Sequence, residues 1–233
     1  CGTASHTPMH FQVQSKRWPL ATVLPHLPAA EAASYGSWRS YLSGTLDLRR
    51  GAGRRQATSV QGKLVFHNTT CHTARLKSPL LAIAEAVGTL EIADIHDMAT
   101  ASLRVDDVVG ALVGNDLQGG IAIQNFQDPQ LQCHVKGPLD LVAFNALLGQ
   151  APIQDVAGQL SLDLQLKASL RALLEKHPTP FPKLTGTLAM QSVQCIVKAT
   201  KLSCNDCNGQ LVFQDDVLRI PTLAGSIGHG TFS

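Results

Sequence analysis

Gly158-Gln159-Leu160-Ser161-Leu162-Asp163-Leu164-Gln165-Leu166 decides the fold. Four leucines occupy every second position, with Ser161, Asp163 and Gln165 between them. Strand side chains alternate between faces with period two, so the leucines share one face and the polar residues the other. The stretch opens with a short phrase: glycine, any residue, Leu or Ile, any residue, an apolar residue. That phrase also begins at Gly44, Gly62, Gly88, Gly119, Gly137, Gly186 and Gly209. Spacings run from 18 to 31 residues, which is irregular but persistent. Repeats of this kind mark a sheet built from similar units. Glycine allows the backbone angles of a tight turn, so each copy is read as a turn glycine leading into a half-buried strand.

Neighbouring segments follow the same rhythm. Leu131, Cys133 and Val135 alternate with Gln132 and His134. Leu188 and Met190 shift phase to Val193, Cys195 and Val197, which predicts a β-bulge near Gln191-Ser192. Asn115-Asp116 and Asn208-Gly209 read as hairpin turns. Three stretches have helical spacing instead: 19–27, 139–148 and 166–175. The first two each follow a proline and precede a Gly-x-Leu strand, which predicts an internal duplication of 19–50 in 138–166. His177 to Pro182 reads as a rigid extended connector.

The 233 residues therefore read as one continuous β-repeat segment over 1–233, all-β with two or three short helices. The expected architecture is a long curled antiparallel sheet, aliphatic inside and polar outside. The chain reads as a piece of a longer protein.

Composition narrows the function classes. Net charge is +2, so binding nucleic acid by bulk charge is excluded as an expectation. Hydrophobic residues make up 44% of the chain, too many for disorder. Aromatics are only 5%, which disfavours stacking platforms for single strands. Apolar content is mostly aliphatic, with 32 leucines, and no stretch approaches the roughly 18 apolar residues of a membrane-spanning helix.

Three segments resemble the AsmA-like family (the AsmA, TamB and YhdP type) of bridge-like envelope proteins. Asp140 to Gly149, followed by Gly158 to Asp163, resembles a repeat junction of that family. Phe181-Pro182-Lys183-Leu184-Thr185-Gly186-Thr187-Leu188 resembles the next junction. Gly209 to Ile220, with Gly225-Ser226-Ile227-Gly228-His229-Gly230, resembles the closing phrase of the C-terminal repeats. The resemblance covers roughly residues 40 to 233. It implies a β-taco-like groove in a periplasmic protein of bacteria with two membranes. It further implies phospholipid acyl chains as the cargo, moved between inner and outer membranes, with envelope proteins as further partners. Attachment to the inner membrane would come from a segment absent from this chain. The family offers no catalytic motif, so no enzyme activity and no cofactor are expected.

The lipid-groove candidates are Leu131, Val135, Leu160, Leu162, Leu164, Leu166, Leu188, Met190, Leu211 and Phe213. An acyl chain leaving water for such a surface gains about 0.8 kcal/mol per methylene. Leucines offer no polar anchor, so affinity is spread along the surface and sliding meets low barriers. The rival reading is a structural or adhesive β-repeat protein without a ligand, whose leucines pack an ordinary core.

Other motifs carry weaker signals. Cys204-Asn205-Asp206-Cys207 invites a disulfide, but a redox site needs its first cysteine at a helix start, and a strand is expected here. No second CxxC supplies a zinc site, and no metal is expected. His67, Cys71 and His72 read as a polar loop after a strand. Gly225 to Gly230 mimics a phosphate-cradling loop but is followed by no helix to hold an anion. Arg49, Arg50, Arg54 and Arg55 read as a solvated hairpin tip. Asp106-Asp107 and Asp215-Asp216 read as turn residues, since adjacent strand positions face opposite ways.

Overall fold

The computed structural model describes residues 9–19, 37–50, 57–72, 76, 79–145, 147, 151–170, 182–215 and 217–233. These form a single antiparallel sheet of 12 strands, and each strand pairs with its sequence neighbours. The strands are β1 (Met9–Pro19), β2 (Ser37–Arg50), β3 (Thr58–His72), β4 (Leu81–Ile92), β5 (Ala101–Leu112) and β6 (Asn115–Gln124). They continue as β7 (Gln130–Asp140), β8 (Ile153–Ser169), β9 (Lys183–Val197), β10 (Ser203–Asp215), β11 (Val217–Ile227) and β12 (Gly230–Phe232). The sheet is long, curled and open: β1 and β12 do not pair with each other. Among the described residues, every extensive strand–strand contact lies between sequence neighbours.

The glycines of the repeated phrase are not turn residues. All eight lie inside strands, with paired residues before and after them. The physical reason is close approach rather than a turn. At Gly186 a β-carbon would overlap the carbonyl oxygen of Asp163 on β8, and the backbone sits at φ +123°. Glycine within a strand marks such approaches and sharp bends. A two-residue connection at Val113-Gly114 makes the β5–β6 hairpin, with Leu112 opposite Asn115. Both of its residues have positive φ, the twist that suits a tight hairpin. Asn115 therefore begins β6, and Asn208-Gly209 lies inside β10; neither is a hairpin turn.

The helical expectations change as well. Of the candidate at 166–175, Leu166 to Ser169 continue β8, Leu170 has helical backbone, and 171–175 lie outside the described residues, as does most of the connector at 177–182. Among the described residues of 139–148, Leu139 and Asp140 end β7, Leu141–Phe144 form a 3₁₀ turn, and Asn145 and Leu147 continue as turn residues. A second 3₁₀ turn spans Met98–Thr100. The candidate at 19–27 lies outside the described residues beyond Pro19, which ends β1. Short polar caps start both 3₁₀ turns. The Asp97 carboxylate accepts from the Ala99 amide at 3.1 Å, and the Asp140 carboxylate from the Val142 amide at 3.0 Å.

One local expectation holds in detail. Register slips by one residue in β9 at Ser192, which has φ +48°. Similar slips occur at Arg17 in β1, Asn68 in β3, Asp107 in β5, Asp155 in β8 and Asp206 in β10. Asn and Asp tolerate the left-handed backbone that such bulges need. Asn208 bridges two of these bulges. Its side-chain oxygen accepts from the Ser192 amide at 2.8 Å, and its side-chain nitrogen donates to the Asp206 carbonyl at 2.8 Å.

Candidate functional site

The cross-strand registers place all ten groove candidates on one face. Leu139, Leu160, Met190 and Gly209 form one row across β7 to β10. Gly137, Leu162, Leu188 and Leu211 form the next. Val135, Leu164, Gly186 and Phe213 form a third, and Cys133 with Leu166 a fourth. Leu131 pairs with Ala168 in the last. Each glycine in these rows stands beside a bulky residue, so large and small groups alternate across the strands.

The same face extends far beyond those ten. Leu131 continues through Ile123, Leu103, Leu90 and Gly62 to Leu46 on β2. Phe11 on β1 continues through Leu48, Val60 and Ile92 to Ala101. Leu46, Leu48, Leu90, Ile92 and Ile123 belong to copies of the Gly-x-Leu phrase, so the signal that could have placed them among the candidates was already in the sequence. Bulges maintain the face. One extra residue in β9 returns Val193 and Cys195 to the leucine side, and one in β10 does the same for Cys204.

Burial along this face is graded. Leu117, Leu139 and Leu162 are buried, and Leu112, Val135, Phe144, Leu160, Leu164 and Leu188 pack against them. Leu162 is 8% exposed, whereas the other nine candidates are only half-buried. Stacked sheets bury facing residues in a shared core about 10 Å thick. Among the described residues, the extensive contacts of this sheet supply no such second layer. The 3₁₀ turn Leu141–Phe144 covers one end of the face with Phe144. It is held there by Asn145, whose side-chain nitrogen donates to the Val156 carbonyl at 2.7 Å. The Val156 amide donates back to Asn145 Oδ1 at 2.8 Å.

The opposite face is polar and carries its own hollow of about 1040 Å³ over β4 to β8. Glu91, Arg104, Asp106, His134, Lys136 and Lys167 line it, and of the ten groove candidates only Leu166 borders it. Some of its charges are paired. Arg104 meets Asp106 at 2.7 Å, while Asp163 accepts from His134 at 3.1 Å and lies 3.5 Å from Lys136. The His134 hydrogen bond, aided by Lys136, holds the Asp163 carboxyl below its ordinary value.

The remaining motifs resolve into ordinary strand features. His67, Cys71 and His72 lie in β3, not in a loop. His67 contacts Glu85 at 3.3 Å and Ser43 at 3.2 Å, while Cys71 is buried on the leucine side, where burial raises its thiol pKa. Among the described residues, no group of three His, Cys, Asp or Glu is arranged to hold a metal. Gly225 to Gly230 runs from β11 through Gly228-His229 into β12. Asp106-Asp107 forms the β5 bulge rather than a turn. Asp215 ends β10, and Asp216 lies outside the described residues. Arg49 and Arg50 end β2, and Arg54 and Arg55 lie outside the described residues. No helix among the described residues is long and apolar enough to cross a membrane. No family model, curated protein or solved structure matches the chain.

Proposed function

We propose that this chain is a segment of an AsmA-like envelope protein that shelters phospholipid acyl chains on its leucine face. In this reading it works in the periplasm, between inner and outer membranes, tied to the inner membrane by a segment outside the chain. Envelope proteins are its further partners. The observation that carries the reading is the largely aliphatic face that runs across the sheet, half-buried at most of its positions, over which the described residues place no second sheet layer. Contiguous exposed apolar surface of this extent marks a binding surface. Each buried acyl methylene is worth about 0.8 kcal/mol, and among the described residues the ion pairs lie on the opposite face.

Lipid extraction from the purified protein tests it. Mass spectrometry of the extract is expected to find phospholipid retained through size exclusion, and Leu164→Asp together with Leu188→Asp to strip it. A chain that comes through lipid-free, and takes up none from phospholipid vesicles, would instead be a ligand-free β-repeat scaffold.

A further inference from the structure

Three thiols meet on the leucine face where β9 borders β10. Cys195 of β9 and Cys204 of β10 are direct cross-strand partners. The bulge at Asp206 inserts one residue between Cys204 and Cys207, which brings Cys207 back to the same side, opposite Val193. We propose that Cys195 and Cys204 are a disulfide-forming pair that staples β9 to β10 beside the bulge seam. The CxxC spacing in the sequence points instead to Cys204 and Cys207.

Geometry separates the two pairings. Directly opposed residues of antiparallel strands have Cα atoms about 4.5 to 5.5 Å apart. A disulfide spans Cα separations of roughly 4.4 to 6.8 Å, so the cross-strand pair needs no backbone movement. Cys204 and Cys207 sit on one strand, two pairing steps apart. At about 3.3 Å per step that is close to the upper limit of a disulfide's reach, well above the spacing of the cross-strand pair. The Cys207 sulfur instead lies over Gly225 of β11, where a β-carbon would stand 3.0 Å from it.

The bond forms by exchange with a low-molecular-weight disulfide such as oxidised glutathione. One cysteine, as thiolate, attacks a glutathione sulfur and releases one glutathione thiolate. The other cysteine then displaces the second. The protein loses two thiol protons and two electrons, and two molecules of reduced glutathione carry them away. Burial, then the neighbouring Cys204 thiol, pushes Cys195 above the ordinary cysteine value, and Cys207 is raised as well. Scarce thiolates make the exchange slow, which suits a structural link and not a turnover site. The inference does not rest on the lipid reading, although an oxidising compartment would favour the bond.

The full chain, incubated with oxidised glutathione and then denatured, is expected to lose two of its six thiols by colorimetric titration. Non-reducing peptide mapping should join the peptide carrying Cys195 to the one carrying Cys204 and Cys207. That junction should persist in Cys207→Ser and vanish in Cys204→Ser, and dithiothreitol should release it. All six thiols surviving oxidation, glutathione adducts without a junction, or a junction that needs Cys207 would each overturn the assignment. Because the wild-type map alone discriminates joined from unjoined peptides, a variant that misfolds leaves the proposal exposed to refutation.

Discussion

At Gly186 the backbone holds φ +123°, and an added β-carbon would overlap the Asp163 carbonyl oxygen. Gly114 also has positive φ, at +82°, but nothing lies within 4 Å of its missing β-carbon. The two positions separate backbone strain from steric exclusion. Gly114→Ala should cost about 1 kcal/mol, the strain of a left-handed alanine. Gly186→Ala should cost about 2 to 4 kcal/mol, because β8 must also move away. Urea denaturation midpoints measure both, and equal losses would remove the close-approach explanation. Charge works at this scale too. Asp163 accepts from His134, and its carboxyl titrates lower in the folded chain than in the unfolded one. A depressed folded pKa adds stability above the unfolded value and forfeits it as pH falls through the folded one. Denaturation midpoints should therefore fall as pH drops from about 4, and Asp163→Asn should flatten that slope. The group is exposed, so the effect is small; an unchanged slope would show that the pair contributes nothing to folding.

Along β8 the four alternating leucines are chemically alike but not equivalent. Leu162 is buried against Leu117 and Leu139, while Leu166 is half-buried at the far end of the run. Leu162→Ala should cost about 2 to 4 kcal/mol through lost contacts and a cavity. Leu166→Ala should cost about 1 kcal/mol, since water already reaches that site. Thermal or urea unfolding of the two variants checks the gradient. The strand itself was legible because its alternation is regular over many residues. The β9 bulge was legible for a related reason: the phase jump from Met190 to Val193 makes sense only if one residue leaves the ladder. The glycines were misread because a turn and a mid-strand approach demand the same residue type. What distinguishes them is the carbonyl on the neighbouring strand, and sequence order does not reveal that neighbour. Asn208-Gly209 failed for the same reason, since the partner of Asn208 is Ser192 on the adjacent strand. Helical spacing misled at 166–169 because a leucine inside a long alternating strand can also fall at a helical interval from the next one; there the strand simply runs on to Ser169.

A sheet of twelve strands in one layer has two broad faces, and the chain distributes its chemistry between them. The buried core of the molecule lies on the leucine side, including Val60, Ala86, Ala101, Val105 and Leu139. The opposite side remains wet and only partly ion-paired, and it holds the hollow of about 1040 Å³ over β4 to β8. Volume alone would direct a ligand to that hollow. Chemistry directs an acyl chain elsewhere, because methylenes laid over Arg104, Asp106 and Lys136 would desolvate charges without replacing their water. Substitutions on one face at a time decide between the two. Leu188→Asp puts a carboxylate among Leu162, Leu211 and their neighbours, where covering it costs enough to lower phospholipid retention about tenfold or more. Lys167→Glu changes the charge of the polar hollow and should leave retention unaltered, since Lys167 points away from the leucine rows. Quantifying bound phospholipid per chain in both variants, with circular dichroism to verify the sheet, gives the answer. Retention lost through Lys167→Glu and kept through Leu188→Asp would move the ligand to the polar face and end the acyl-chain assignment.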